Sequence, residues 1–263
     1  MLAISKLVDY SRNYVPLKVP VGPLPRTKRL GVLLVHGFTS SLQTVDGLVP
    51  YLEKARLPYR MPVLRGHGGK RTDPAGGTSQ EWYADAEAAL QELAKEVDKV
   101  VVVGLSMGGL VSLQLSMEHA DQIAGLVTLA AAMRFKDPLA PAVPILAKVF
   151  KTWPGPNSFN DKSLKKNCTN HYRFLTKSFV SLYRYGKEIE KRLTEVKVPL
   201  LVIQSKKDQV VDPVTANIIY HDVSSAHREI QWFTRSGHEL GQDMEAEAVF
   251  ARVMQFVEKL KAD

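Results

Sequence analysis

The run "DKVVVVGLSMGGLVSL", residues 98–113, constrains the fold more than any other stretch of this chain. Four consecutive valines lack polar alternation, so they read as a strand buried on both faces, as in a parallel sheet covered by helices. The chain then turns within "GLSMGG" and enters an apolar helical pattern at once. A strand-to-helix turn that sharp strains its central residue and leaves no room for neighbouring Cβ atoms. Glycine two positions before and two after Ser106 relieves that crowding. The hydroxyl is pushed out above the sheet, toward the N-terminal amides of the next helix, which favour negative charge. A mere link between strand and helix has no use for such strain. A nucleophile does.

The same alternation runs through the rest of the chain. "RLGVLLVHG" (29–37), "YRMPVL" (59–64, weakened by Pro62), "IAGLVTLAA" (123–131), "PLLVIQS" (199–205) and "REIQWFTRSG" (228–237) read as strands. Between them, Thr78 and Glu81 form a capping box ahead of a helix whose Trp82, Ala86, Ala89, Leu90, Leu93 and Val97 share a face. Val249, Phe250, Val253, Phe256, Val257 and Leu260 recur at helical spacing near the C-terminus. Nearly all-apolar strands separated by helices predict an α/β fold with a mostly parallel central sheet flanked on both faces.

From Met133 to about Arg192 no buried strand is predicted. Sixty structureless residues do not fit inside a compact domain, so a small helical cap is expected at 132–192, inserted into a core of 1–131 and 193–263. Pro138, Pro141 and Pro144 suit a mobile cover better than a rigid core helix. The alternative is a helical excursion that completes the core. Residues 134–192 hold 13 Lys/Arg against 4 Asp/Glu, a charge of +9, and the remainder holds 22 against 23, or −1. A basic balance confined to one segment, without any helix-turn-helix, zinc-finger or aromatic RNA-binding pattern, argues against a nucleic-acid partner. It is consistent with weak association with anionic lipid surfaces, beside an apolar acyl slot built from Val143, Ile145, Leu146, Val149 and Phe150, or with a merely solvated basic face. The lone Cys168 fits a reducing compartment. "MLAISKLVDYSRNY" lacks the plan of a secretory signal, and no apolar run reaches membrane-spanning length, so a cytoplasmic location is expected.

Activating a serine requires a base and a group to orient it. Of seven histidines, His119 and His227 read as surface residues, and His171 falls in the insert. His221 sits near a helix C-terminus, while His36 and His67 lie in glycine loops and read as backbone features. His238 follows the last strand, at the sheet edge where loops carry catalytic groups, and is the expected base. In "KKDQVVDPVTANIIY" Asp212 precedes Pro213 and a helical run, so an N-cap explains it. Asp208 has no such structural reason and is the expected orienting carboxylate. The backbone N–H groups of Met107, after the nucleophile, and Phe38, in "LLVHGFTSS", are the expected oxyanion donors.

On "LLVHGFTSS", "RGHG", "EWYADAE", "GLSMGG", "KKDQVVDPVTANIIY" and "QWFTRSGHE", which span about residues 30 to 240, the chain resembles the small bacterial carboxylesterases and monoacylglycerol lipases of the α/β-hydrolase superfamily. The resemblance implies an α/β-hydrolase fold with a small helical cap, a triad of Ser106, Asp208 and His238, and an oxyanion hole at Phe38 and Met107. It also implies a small-molecule ester substrate, with short- to medium-chain acyl esters including monoacylglycerols, and no metal or organic cofactor. A thioesterase or a lysophospholipase would use the same triad. A non-catalytic ligand-binding protein of this fold would have no use for a strained nucleophile.

Overall fold

The computed structural model describes residues 29–262. The N-terminal stretch judged for a secretory signal lies outside them. In chain order the elements are β1 (Leu30–Val35), α1 (Val49–Lys54), β2 (Tyr59–Arg60), α2 (Ser79–Ala94), β3 (Lys99–Leu105), α3 (Met107–Glu118) and β4 (Ile123–Leu129). Then come α4 (Val143–Leu146), β5 (Thr152–Pro154), β6 (Arg173–Leu175), α5 (Thr176–Arg192), β7 (Leu200–Ser205), α6 (Val214–Asp222), β8 (Arg228–Phe233) and α7 (Ala246–Ala262). Six strands form one sheet in the order β2-β1-β3-β4-β7-β8, and every pairing in it is parallel.

The valine run shows why the sheet is covered on both sides. Val100 and Val102 belong to one apolar cluster, with Trp82, Leu90 and Leu110 from α2 and α3. Val101 and Val103 belong to the other, with Val253 and Val257 from α7. Successive side chains point to opposite faces, so a run without polar residues supplies two cores at once. The capping box forms as read: Thr78 accepts from the Glu81 N–H, and the Glu81 carboxylate accepts from the Thr78 N–H. The strand expected at 59–64 stops after Arg60, two residues short of Pro62, whose ring nitrogen offers the ladder no N–H.

Between β4 and β7 the insert adds nothing to the central sheet. Its strands β5 and β6 pair with each other, antiparallel, and β6 is bridged to Ala75 through Phe174. It is not uniformly helical: a single turn (α4), short 3₁₀ turns and the β5–β6 hairpin precede the long α5. Leu182, Tyr185 and Ile189 of α5 pack in the same cluster as Leu110 and Val111. Before that helix, the insert meets the loops after β1 and β8: Thr39 O accepts from His171 N at 2.7 Å and Ser158 O from His238 N at 2.8 Å.

The strand order also opens a crevice there. From β1 the chain passes to β2 on one side, and from β3 to β4 on the other. The loops after β1 and β3 therefore diverge and leave a gap between them, the usual ligand position in open α/β sheets.

Candidate active site

Ser106 stands at φ 56°, ψ −115°, in the left-handed half of backbone space and outside the usual regions for a side chain. The sheet holds it there. Its N–H donates to Leu129 O at 2.8 Å, and its carbonyl accepts from Gly109 N and Ala132 N at 2.9 and 3.1 Å. The flanking glycines are compulsory. A Cβ on Gly104 would lie 2.2 Å from Gly108 O, and one on Gly108 would lie 2.2 Å from Val35 O. The helix start is thus pressed against the ends of β1 and β3, and Ser106 projects into the crevice.

His238 follows β8 and reaches the same point. Its Nε2 is 2.9 Å from Ser106 Oγ, and its Nδ1 is 2.8 Å from Asp208 Oδ2. Asp208 is fully buried. Its Oδ1 accepts from the N–H groups of Val210 and Val211 at 2.8 and 2.9 Å, and its Oδ2 accepts from Gln204 Nε2 at 2.9 Å. Asp212, only four residues on, takes no part. Its Oδ1 accepts from Val214 N at 3.0 Å, capping α6 one residue earlier than a cap directly before its first turn. Of the other histidines, His119 bonds Glu87 at 2.7 Å and His221 occupies the last turn of α6.

Gly37 packs beside the serine, since a Cβ there would meet Ser106 Cβ at 3.1 Å. Phe38 comes next, with its ring against Trp82, Phe174 and Phe179. Met107 opens α3, so its N–H has no carbonyl one turn earlier to bond. Phe38, Ser106 and His238 share a small cavity of about 40 Å³. Phe135, Phe174, Phe179 and Val210 separate it from a second space of about 460 Å³, lined also by Leu139, Val143 and Leu146. That volume lies in the range of small-molecule sites. The five residues expected to form an acyl slot are divided. Val143 and Leu146, three residues apart, face the cavity. Ile145, on the other side of the single turn of α4, and Val149 and Phe150, beyond its end, are 69%, 75% and 46% exposed.

Residues 26–245 match the Hydrolase_4 family, described as serine aminopeptidase, S33. The chain belongs to this family. Among its relatives, a carboxylesterase of Bacillus subtilis (strain 168) is 26% identical over 246 residues, covering 91% of this chain and 98% of that protein. A thermostable monoacylglycerol lipase of Bacillus sp. (strain H-257) is 30% identical over 237 residues, covering 88% and 91%. A solved structure from work on the metagenome-derived lipolytic enzymes LipS and LipT superposes with a TM-score of 0.82 at 29% identity, covering 89% and 95%. A soluble variant of the monoglyceride lipase from Saccharomyces cerevisiae shares the fold, at TM-score 0.76 and 18% identity, covering 92% and 90%. The chain is an α/β-hydrolase of the esterase type.

The electrostatics of this hydrolase set His238 apart from His36 and His67. Burial alone pushes the His238 imidazole down, but the Asp208 carboxylate beside it more than offsets this and holds its pKa above the ordinary value. Burial pushes the Asp208 carboxyl up, and His238 with two backbone N–H groups brings it below its ordinary range. His36 and His67 have no carboxylate. Burial holds His36 at about 4 and His67 well below its ordinary value. Both are neutral acceptors: His36 Nε2 takes the Leu64 N–H and His67 Nε2 the Thr39 N–H, each at 3.1 Å. Their Nδ1 atoms face carbonyls of Gly37 and Arg65 at 2.9 and 3.1 Å, which fixes the tautomer. They are more than the backbone features expected: each braces the loop that carries Phe38. Nothing in "VHGF" or "RGHGG" announces those partners, which lie 28 residues away. Gln204 carries no local signal of its role either, being one polar residue inside an apolar strand. No helix among the described residues is long and apolar enough to cross a membrane.

Proposed function

We propose that the enzyme is a serine carboxylic-ester hydrolase for short- to medium-chain acyl esters, monoacylglycerols among them, working through Ser106, His238 and Asp208. The observation that carries this reading is the unbroken chain Ser106 Oγ–His238–Asp208, at 2.9 and 2.8 Å, ending beside an apolar cavity. His238 takes the Ser106 proton as Oγ attacks the ester carbonyl. The negative oxygen that forms lies toward the Phe38 and Met107 N–H groups, and His238 then protonates the departing alcohol. Water, activated by the same imidazole, releases the acid from the acyl-enzyme. Asp208 keeps Nδ1 protonated and Nε2 free to act as the base. The acyl chain takes the space lined by Phe135, Leu139, Val143, Leu146, Phe174 and Phe179.

The part of the insert before α5 is the cap in this reading, with α5 counted in the core. Its exposed Ile145, Val149 and Phe150 stand beside Lys148 and Lys151. A weak contact with anionic lipid surfaces is part of the proposal and predicts faster hydrolysis on anionic vesicles, suppressed by salt. The decisive experiment combines a p-nitrophenyl acyl series, monoacylglycerols and a fluorophosphonate probe with Ser106→Ala. Labelling and turnover on medium chains, both abolished by the substitution, are expected. Labelling that survives it overturns the assignment.

A further inference from the structure

Thr39, the residue after Phe38, stands at φ 63°. For a β-branched side chain this is a true outlier, and such strain persists only where the surroundings over-determine it. Both of its backbone polar groups are taken. The N–H donates to His67 Nε2 at 3.1 Å, from the core loop. The carbonyl accepts from the His171 N–H at 2.7 Å, from the insert. Two residues away, Ser41 Oγ lies 2.6 Å from Thr169 Oγ1. The loop presenting the Phe38 amide is therefore held from two sides, and one of those sides is the insert.

The residue between these contacts reaches the opposite wall of the site. Asn170 Nδ2 donates to Glu239 Oε1 at 2.6 Å, and Glu239 is the buried neighbour of His238 in the chain. The strip is itself well anchored. The Asn170 carbonyl accepts from Arg71 Nε at 3.0 Å. The His171 ring nitrogens lie 2.8 Å from Asp73 O and 3.3 Å from His67 O. Three consecutive residues of the insert thus grip the oxyanion side and the imidazole side together. A wall that only encloses substrate needs neither grip.

We propose that the strip Thr169–His171 is a positioning element of the reaction, holding the Phe38 loop through Thr39 and the His238 loop through Glu239. It rests on the oxyanion-hole reading above. The three residues touch no reacting atom. They act by keeping Thr39 in its strained conformation, so that the Phe38 N–H is already aimed when charge develops on the ester oxygen. His67 is the partner in the core. Its bare Nε2 completes the hold, and its ring stands edge-on to Phe38 at 5.6 Å between centroids.

An interaction realised only in the transition state lowers kcat and leaves KM alone. The test measures p-nitrophenyl acetate, too short to use the large cavity, and a trifluoromethyl ketone whose adduct with serine carries the oxyanion. Asn170→Ala and His67→Leu are expected to lower kcat by about 10–100-fold, the scale of a slight misplacement, with KM within about twofold. The ketone should weaken by the same factor, and His67→Gln, which restores an acceptor near Nε2, should recover most of the loss. Should either buried substitution unfold the protein, Ser41→Ala and Thr169→Val remove one outer contact. Each should lower kcat by about threefold, and the pair by no more than one alone, because they break the same bond. A rise in KM at constant kcat, or a ketone affinity untouched in every variant, overturns the proposal while fluorophosphonate labelling of Ser106 leaves the enzyme's chemistry standing. An unmodified enzyme that the probe does not label overturns both.

Discussion

Ser106 gives its N–H to β4 and its carbonyl to Gly109 and Ala132, whereas α4, which lines the larger cavity beyond Phe135 and Phe179, is one helical turn with a proline inside. The serine corner is made of residues that permit no alternative: a Cβ at Gly104 or Gly108 would strike backbone oxygen. The facing insert leaves Leu139, Ile145, Val149 and Phe150 exposed and supplies mainly apolar surface to the cavity. Chemistry needs atoms placed to within a fraction of an ångström, and that demands a scaffold with no freedom. Enclosing an acyl chain requires only volume and apolarity, which many side chains provide.

The largest effects should therefore fall on the corner and its partners. Ser106→Ala and Asp208→Asn are each expected to cut kcat by about 10⁴-fold or more, the scale seen when a triad member is lost. Leu146→Trp should leave p-nitrophenyl acetate turnover within a few fold. Steady-state kinetics on that short ester measure all three, and comparable losses would erase the distinction between framework and wall. The pH profile sharpens it. His238 must be neutral to act as a base, and Asp208 holds its pKa above the ordinary imidazole value. Turnover should thus begin to fall at a higher pH on the acid side than a free imidazole would give.

The two regions differed as much in what their residues disclosed. The strand runs, the capping box and the Ser106 turn were legible because each rests on contacts a few residues long, where periodicity and sterics decide. Asp208 could be separated from Asp212 because proline and a helical run beside Asp212 already explain it. The insert was not legible in that way. Its hairpin is held by pairings such as Ala75 with Phe174, about a hundred residues apart, and no local pattern encodes a partner at that distance. For the same reason α5 could not be assigned to core or cover. Its inner face, with Leu182, Tyr185 and Ile189, looks alike whether it packs on a sheet or on a lid. His36 and His67 read as turn residues because of their glycine neighbours, while their acceptor role depends on N–H groups from distant loops.

Those two histidines yield the next largest effect, now on stability. In the unfolded chain His36 titrates near 6.5, and in the fold near 4. Between those values the unfolded state binds the extra proton, so stability is lost as pH falls from about 6.5 toward 4 and is retained above 6.5. At about 1.4 kcal/mol per pK unit, the shift corresponds to about 3 kcal/mol. Urea titrations at pH 7 and pH 4.5 should show a decline that His36→Gln flattens. A pH-independent midpoint would mean that the loop brace does not depend on neutral imidazole. On the cavity side the effect should be smaller and confined to selectivity. Leu146→Trp fills part of the apolar space, so the preference for octanoyl over acetyl esters should fall by about 10-fold or more, the scale of one or two misfitting methylenes. An unchanged chain-length profile would place the acyl group elsewhere.

Asp212 provides the smallest and most discriminating test, because it sits four residues from Asp208 and shares its chemistry but not its surroundings. Asp208 is buried with its oxygens committed to His238, Gln204 and two backbone N–H groups. Asp212 offers one oxygen to the Val214 N–H at the start of α6. Removing such a cap leaves a helix N–H to water and costs about 0.5–2 kcal/mol. Nothing in that loss reaches the site: the path from α6 to His238 runs through Val211 and Asp208, whose bonds do not involve the Asp212 side chain. Asp212→Ala should therefore lower the urea midpoint slightly while kcat and KM for p-nitrophenyl acetate stay within about twofold. A large fall in kcat with unaltered stability would show that the two carboxylates had been assigned the wrong way round. The division between a fixed catalytic framework and its ordinary structural surroundings would then fail at its narrowest point.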